Sequence, residues 1–241
     1  MVTLENTILL LGYNARAQCY AQAMESAGYA PRLVVTFGAR DRDVARNVDC
    51  PELDRKRFRF TPDLKEPLSE TIRRAGWNWT ASDAENVNAA EIRSLIAGHD
   101  PDVVVYAGYG GQIVGVPLLT AIPSFLHMHC GRLPEYRGST TIYYSWLREN
   151  ACGVSAILMN AKIDEGPVLV REDFPPPPPD ADVDQFYDNT LRAHVLLTCM
   201  DAIAESGSLP PRQTQQGQEE TYYVIHPVLK HIALMQTREA H

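Results

Sequence analysis

Residues 127–138 read HMHCGRLPEYRG and follow a short apolar run from Ile122 to Leu126. The run reads as a strand. Alternate side chains of a strand share a face, so Phe125, His127 and His129 should point one way and Leu126 and Met128 the other. Two histidines on one face put polarity where a buried strand normally carries valine or isoleucine. Cys130-Gly131 can end the strand, and Pro134 bars a regular continuation. Arg137-Gly138 comes next, then Ser139, a good helix N-cap before an apolar-rich segment. A strand end, a loop and a helix start, in that order, mark where α/β proteins place their ligands.

Upstream, Thr7 to Leu11 is an apolar strand closed by Gly12. Asn14 can cap a helix over 15–27, with Ala17, Tyr20, Ala21 and Met24 at i, i+3, i+4, i+7 spacing and Gly28 at its C′ position. Arg32 to Phe37 is a second strand. This βαβ opening predicts one α/β domain with a Rossmann-like, mostly parallel sheet flanked by helices. No G-x-G-x-x-G follows the first strand, so a dinucleotide is not supported. Residues 39–80 are charged and irregular and read as a solvated face. Asn88 with Glu91 gives a capping-box-like start for a helix through Ala97. DVVVYA, residues 102–107, is β-branched on both faces and reads as a central parallel strand, with Gly108-Tyr109-Gly110-Gly111 at its carboxyl end.

Downstream, a helix is expected over 140–147 and strands over 154–159 and 167–170. The five prolines of 175–179 read as a rigid spacer. Asp182 and Gln185 open a long helix to about Glu205, ended by Gly207. Residues 208–220 are polar and glutamine-rich, a loop or linker, and 222–235 form an apolar tail element, helical after Pro227. The division this suggests is a catalytic domain over 1–207 and a short extension over 208–241.

Composition sets outer limits. The chain has 241 residues and a net charge of −8, which argues against a large nucleic-acid surface. No apolar run reaches the roughly 18 residues of a membrane span, and the N-terminus lacks the basic residues of a signal peptide. Five scattered cysteines without C-x-x-C indicate neither a disulfide framework nor a zinc ribbon, and a cytoplasmic location is expected.

H-x-H-x-x-x-L-P-x-Y-R-G resembles the N-x-H-x-S-x-L-P-x-Y-R-G signature of the folate-dependent formyltransferases, which include the methionyl-tRNA, glycinamide ribonucleotide and sugar N-formyltransferases. A second motif of that family, a D-x-G loop, is matched by Ile163-Asp164-Glu165-Gly166-Pro167. The resemblance is strong over 102–169, weaker over 7–37 and 181–205, and absent over 39–80 and 208–241. It implies the formyltransferase fold, 10-formyltetrahydrofolate as formyl donor, and His129 and Asp164 as catalytic residues. It places Tyr109, Gln112 and Ile113 along the folate pocket. Arg137, which can contact a substrate anion, and Ser139 are expected on the substrate side. The family's asparagine, whose amide donates to the developing oxyanion, falls on His127. Histidine can also donate from a ring nitrogen, so His127 is expected to replace the asparagine as a third catalytic residue and, near its reference pKa of about 6.5, to add a pH dependence unless burial lowers it.

Transfer-RNA formyltransferases carry a further C-terminal domain, whereas only 208–241 follow Gly207 in this acidic chain. The expected partner is therefore a small-molecule amine, first the amino group of a nucleotide-linked deoxy sugar, then glycinamide ribonucleotide or an amino acid. Nucleic acid and membrane are not expected, and a homodimer is allowed. Water as acceptor, giving a formyltetrahydrofolate hydrolase, stays open. Plainer readings also stand: His129 as a core histidine capping a carbonyl, Asp164 as a turn residue, Arg137 as a salt-bridge partner. A different class is a metal-dependent hydrolase using His127 and His129, with Asp164 or Cys130 as third ligand, although no H-E-x-x-H accompanies the pair. A binder that has lost catalysis is a third class.

Overall fold

The apolar run that ends at Gly12 forms β1 (Val2–Gly12), and Asn14 caps α1 (Ala15–Ser26) by accepting from the Ala17 N–H at 3.0 Å. Gly28, at φ +76, turns the chain into β2 (Tyr29–Phe37), parallel to β1. The structure is a computed structural model and describes residues 1–239. Apart from a 3-10 turn over Arg40–Arg42 and a π-helical turn over Val183–Tyr187, the remaining elements are α2 (Leu68–Ala75), β3 (Trp79–Ser82), α3 (Ala90–Ala97), β4 (Val103–Ala107), α4 (Val116–Leu119), β5 (Phe125–His129) and β6 (Arg137–Gly138). They continue with α5 (Thr141–Glu149), β7 (Cys152–Leu158), β8 (Val168–Phe174), α6 (Asp188–Ser206), β9 (Thr221–Tyr222) and α7 (Pro227–Glu239).

Seven strands form one sheet in the order β3-β2-β1-β4-β5-β7-β8. The first five run parallel, and β7 and β8 close the other edge antiparallel. Strand alternation divides the apolar residues between two cores. Leu9, Leu11, Val105, Leu126 and Met128 pack with α1 and α6 on one face, and Ile8, Leu10, Val104, Tyr106 and Phe125 pack with α3 on the other. This two-sided burial explains why β4 reads as a continuous apolar run. The strand order reverses between β1 and β4, so a crevice opens at their carboxyl ends, beside the end of β5.

Several local expectations are corrected. Residues 39–80 include α2 and the edge strand β3. β3 is four residues long and mostly outside the core, so it leaves little apolar pattern to read. Asn88 does not cap α3; its amide donates to Ile113 O at 2.9 Å and accepts from Gly115 N at 2.6 Å, tying two loops together. Ser139 is not the N-cap of α5; that place belongs to Thr140, at φ +52. Residues 208–220 form no helix and only an isolated bridge, Gln213 to Val168, yet they wrap back to place β9 beside β6. The tail contributes Ile225 and Ala233 to the larger core. Among the described residues no helix is long and apolar enough to cross a membrane, and all five cysteines are free thiols.

Candidate active site

β5 carries His127 and His129 to the crevice on one face, with Leu126 and Met128 packed into the opposite core, as alternation requires. A cavity of about 580 Å³ lies over them, large enough for a small-molecule ligand. His129 is buried, and its Nε2 stands 2.7 Å from Tyr136 O. A carbonyl only accepts, so Nε2 carries a hydrogen. The other ring nitrogen, Nδ1, faces Asp164 Oδ1 at 3.4 Å. Two lone pairs cannot face each other there without repulsion, so the arrangement is built to hold one proton between imidazole and carboxylate. Burial pushes the His129 pKa down, the Asp164 carboxylate offsets part of this, and the net displacement is downward.

Asp164 sits in the left-handed region at φ +56, which asparagine and aspartate tolerate best. Its Oδ2 accepts from Gly138 N at 3.0 Å. The pair of residues separated by 35 positions in sequence is thus joined through β6, which the YRG motif supplies. Gly138 has φ +98, and a Cβ there would lie 2.1 Å from Tyr222 O. Gly138→Ala is therefore expected to destabilise the protein by roughly 1–3 kcal/mol and to loosen the β6–β9 pairing. A denaturant midpoint equal to wild type would refute this.

His127 is half-buried at the cavity wall, and its Nδ1 has no hydrogen-bond partner. Its pKa is held well below the usual histidine value, first by burial, then by Arg16, Arg192 and His129, against a partial offset from the Tyr106 carbonyl. The expected charged fraction near neutrality is thereby disfavoured, and the neutral imidazole, which carries one N–H, is the form this environment favours. Arg16 and Arg192 also line the cavity. Arg192 grips Asp188 with Nε to Oδ2 at 2.7 Å and Nη2 to Oδ1 at 3.2 Å. Burial would raise the Asp188 carboxyl, but Arg192, together with Arg16 and the Cys130 thiol, holds it below the ordinary value. Arg16 has its Nε buried without a partner, so two guanidiniums and one carboxylate leave this wall positive. The sequence singles out none of the three, because they sit inside helical segments with no motif around them.

The other expected residues divide. Tyr109, Gln112, Ile113 and Ser139 line the cavity. Tyr109 donates to Phe37 O at 3.1 Å and accepts from Tyr13 N at 3.0 Å, while Gln112 donates to Glu85 O at 2.6 Å and accepts from Val87 N at 3.2 Å. Both therefore brace their loops as well as facing the cavity. Arg137 is corrected: it does not line the cavity. It is buried against Gln215 and Glu219, so the salt-bridge reading holds for it.

The metal reading finds no support in the donor set. Among the described residues no three His, Cys, Asp or Glu side chains converge on a metal position. Both His129 nitrogens already face oxygen acceptors, and burial drives the Cys130 thiol well above its usual value, away from the thiolate a metal requires.

Comparisons with known proteins bear on the family and the fold. The family model described as Formyl transferase matches residues 58–197. A methionyl-tRNA formyltransferase from Sulfurovum sp. (strain NBC37-1) is 33% identical over 155 residues, covering 63% of this chain and 48% of that protein. The chain spans about half or less of the length of the curated relatives it matches. Among solved structures, glycinamide ribonucleotide transformylase 1 from Symbiobacterium toebii superposes with a TM-score of 0.57 at 18% identity, over 90% of this chain and 95% of that one. A sugar 3N-formyl transferase solved in the presence of dTDP and 5-N-formyl-THF superposes with a TM-score of 0.52 at 12% identity, over 90% of this chain and 69% of that one. At these identities the two structures share the fold.

Proposed function

The chain belongs to the formyl transferase family, and from that premise we propose that it moves the formyl group of 10-formyltetrahydrofolate to a small-molecule amine, an amino group of a nucleotide-linked deoxy sugar. The observation that carries the reading is the His129–Asp164 pair, 3.4 Å apart at the end of β5, with neutral His127 beside it on the same cavity wall. The donor supplies an activated formyl carbon. An amine nitrogen bonds to that carbon, the bond from the carbon to the folate nitrogen breaks, and one amine proton must reach the leaving nitrogen. His129 and Asp164 provide a place for that proton. His127 donates to the formyl oxygen as it becomes negative. Tyr109, Gln112 and Ile113 form the side of the cavity assigned to the donor.

The acceptor side is assigned to Ser139, Thr140, Tyr143 and Asp184, which suit hydroxyl groups, and to Arg16, which suits an anion. The free thiols fit a cytoplasmic enzyme. Incubation with 10-formyltetrahydrofolate and a panel of nucleotide-linked amino sugars, glycinamide ribonucleotide, amino acids and tRNA tests the assignment. Formylation of tRNA alone would refute it, and tetrahydrofolate release without any amine would identify a hydrolase. Arg16→Gln is expected to raise KM for an anionic acceptor roughly tenfold, and by more than for a neutral amine. An equal change for both kinds of acceptor would remove Arg16 from anion recognition.

A further inference from the structure

The segment after α6 lies outside the matched residues 58–197 and carries no motif. Residues 211–221 run exposed over the surface with one exception, Gln215. Its Nε2 donates to Asp164 O at 2.7 Å and to Gly166 O at 2.8 Å. Its Oε1 accepts from Arg137 Nη2 at 2.7 Å and Nε at 3.3 Å. Both donors and both acceptor positions of the amide are therefore used. Arg137 in turn pairs through Nη1 with Glu219 Oε2 at 2.7 Å, so a buried guanidinium fixes the glutamine from behind.

Besides Gln215, the loop is tied by Gly138 N on Asp164 Oδ2 and by an exposed Lys162–Glu165 ion pair at 3.0 Å. Residues 161–163 and 165 are exposed, and Asp164 adopts a positive φ. A left-handed non-glycine residue persists only where its surroundings over-determine it. Two hydrogen bonds from one amide to carbonyls on either side of Glu165 supply that constraint. We propose that Gln215 is a positioning residue, clamping the 163–167 loop so that the Asp164 carboxylate faces His129 Nδ1 and Gly138 N together. The segment over 208–222 thereby completes the active site instead of merely following it. This inference rests on the reading of Asp164 as catalytic.

Two variants separate the clamp from simple attachment. Gln215→Ala removes every bond. Gln215→Glu keeps the length and the acceptor that meets Arg137, but sets a carboxylate oxygen against the two carbonyls. If attachment to Arg137 were the whole role, Gln215→Glu would behave as wild type. The clamp predicts that both variants lose kcat by roughly 10- to 100-fold with KM for the donor little changed.

Strand β6 offers an internal reporter that needs no turnover. Gly138 N donates to Asp164 Oδ2, whereas its neighbours Arg137 N and Ser139 N donate to Glu220 O at 3.0 Å and Tyr222 O at 2.9 Å. Residue-resolved amide exchange should therefore quicken at Gly138 in both variants and stay near wild type at 137 and 139. Wild-type kcat in Gln215→Glu, or unchanged exchange at Gly138, overturns the proposal. Fast exchange at all three amides overturns it too, since Gln215 would then hold the segment and not the loop. Should the wild-type protein transfer no formyl group, the catalytic reading of Asp164 fails, and Gly138 exchange alone decides whether the clamp exists.

Discussion

Asp164→Asn should lower kcat for formyl transfer by roughly 10²- to 10⁴-fold while leaving the fold intact. Asparagine tolerates φ +56 as well as aspartate does, and its amide oxygen can still accept from Gly138 N. Its NH₂ would then point at His129 Nδ1, a donor against a lone pair, with Nε2–H still directed at Tyr136 O. Every hydrogen bond is satisfied, so no orphaned buried group drives unfolding. What disappears is the negative charge and the shared proton position. A protonated His129 would turn its Nδ1–H against that NH₂, so the imidazole is locked neutral and cannot relay a proton. Turnover by Asp164→Asn within about tenfold of wild type, with unchanged thermal unfolding, would sink the assignment. Asp164→Ala is a harsher variant, because Gly138 N also loses its partner.

The fold is legible in the sequence because its strongest signals are local. The apolar β1, the Asn14 cap, the C′ glycine at 28 and the two-sided β4 each follow from a few adjacent residues, and the structure keeps all of them. β3 escapes because an edge strand of four residues with one buried position has no alternation to show. His127, His129 and Asp164 are legible through motifs, and strand alternation correctly puts the two histidines on one face. Arg16, Asp188, Arg192 and Gln215 are not. Each matters through what the fold brings next to it: Asp188 opens α6, well beyond the Asp164 loop in the chain, yet the two line one cavity. Arg137 shows the converse. Its motif membership suggests the substrate, but its partners come from a glutamine-rich segment whose composition says nothing about contacts.

His127→Asn should preserve kcat near the wild-type value, and His127→Ala should lower it roughly 10²- to 10³-fold, the usual cost of an oxyanion donor. The charge state decides what kind of donor His127 is. Half-buried on β5 and faced by Arg16 from α1, Arg192 from α6 and His129 on its own strand, it is pressed toward the neutral form. A second proton would add a cation to a wall that already holds two guanidiniums and one carboxylate. A neutral imidazole donates one N–H, as an amide does, so the exchange for asparagine should not alter the acid limb of the kcat profile. The same displacement has a stability consequence with a definite sign. The unfolded chain protonates His127 near its reference pKa of about 6.5, while the folded chain resists until well below it. Between those two values the unfolded state binds more protons, so stability is fully present above about pH 6.5 and is lost as pH falls toward the folded pKa. Denaturant unfolding of His127→Asn should therefore lose less stability on acidification than wild type. A steeper acid loss in the variant, or an acid limb of kcat that flattens with asparagine, would mean that His127 is charged when it acts.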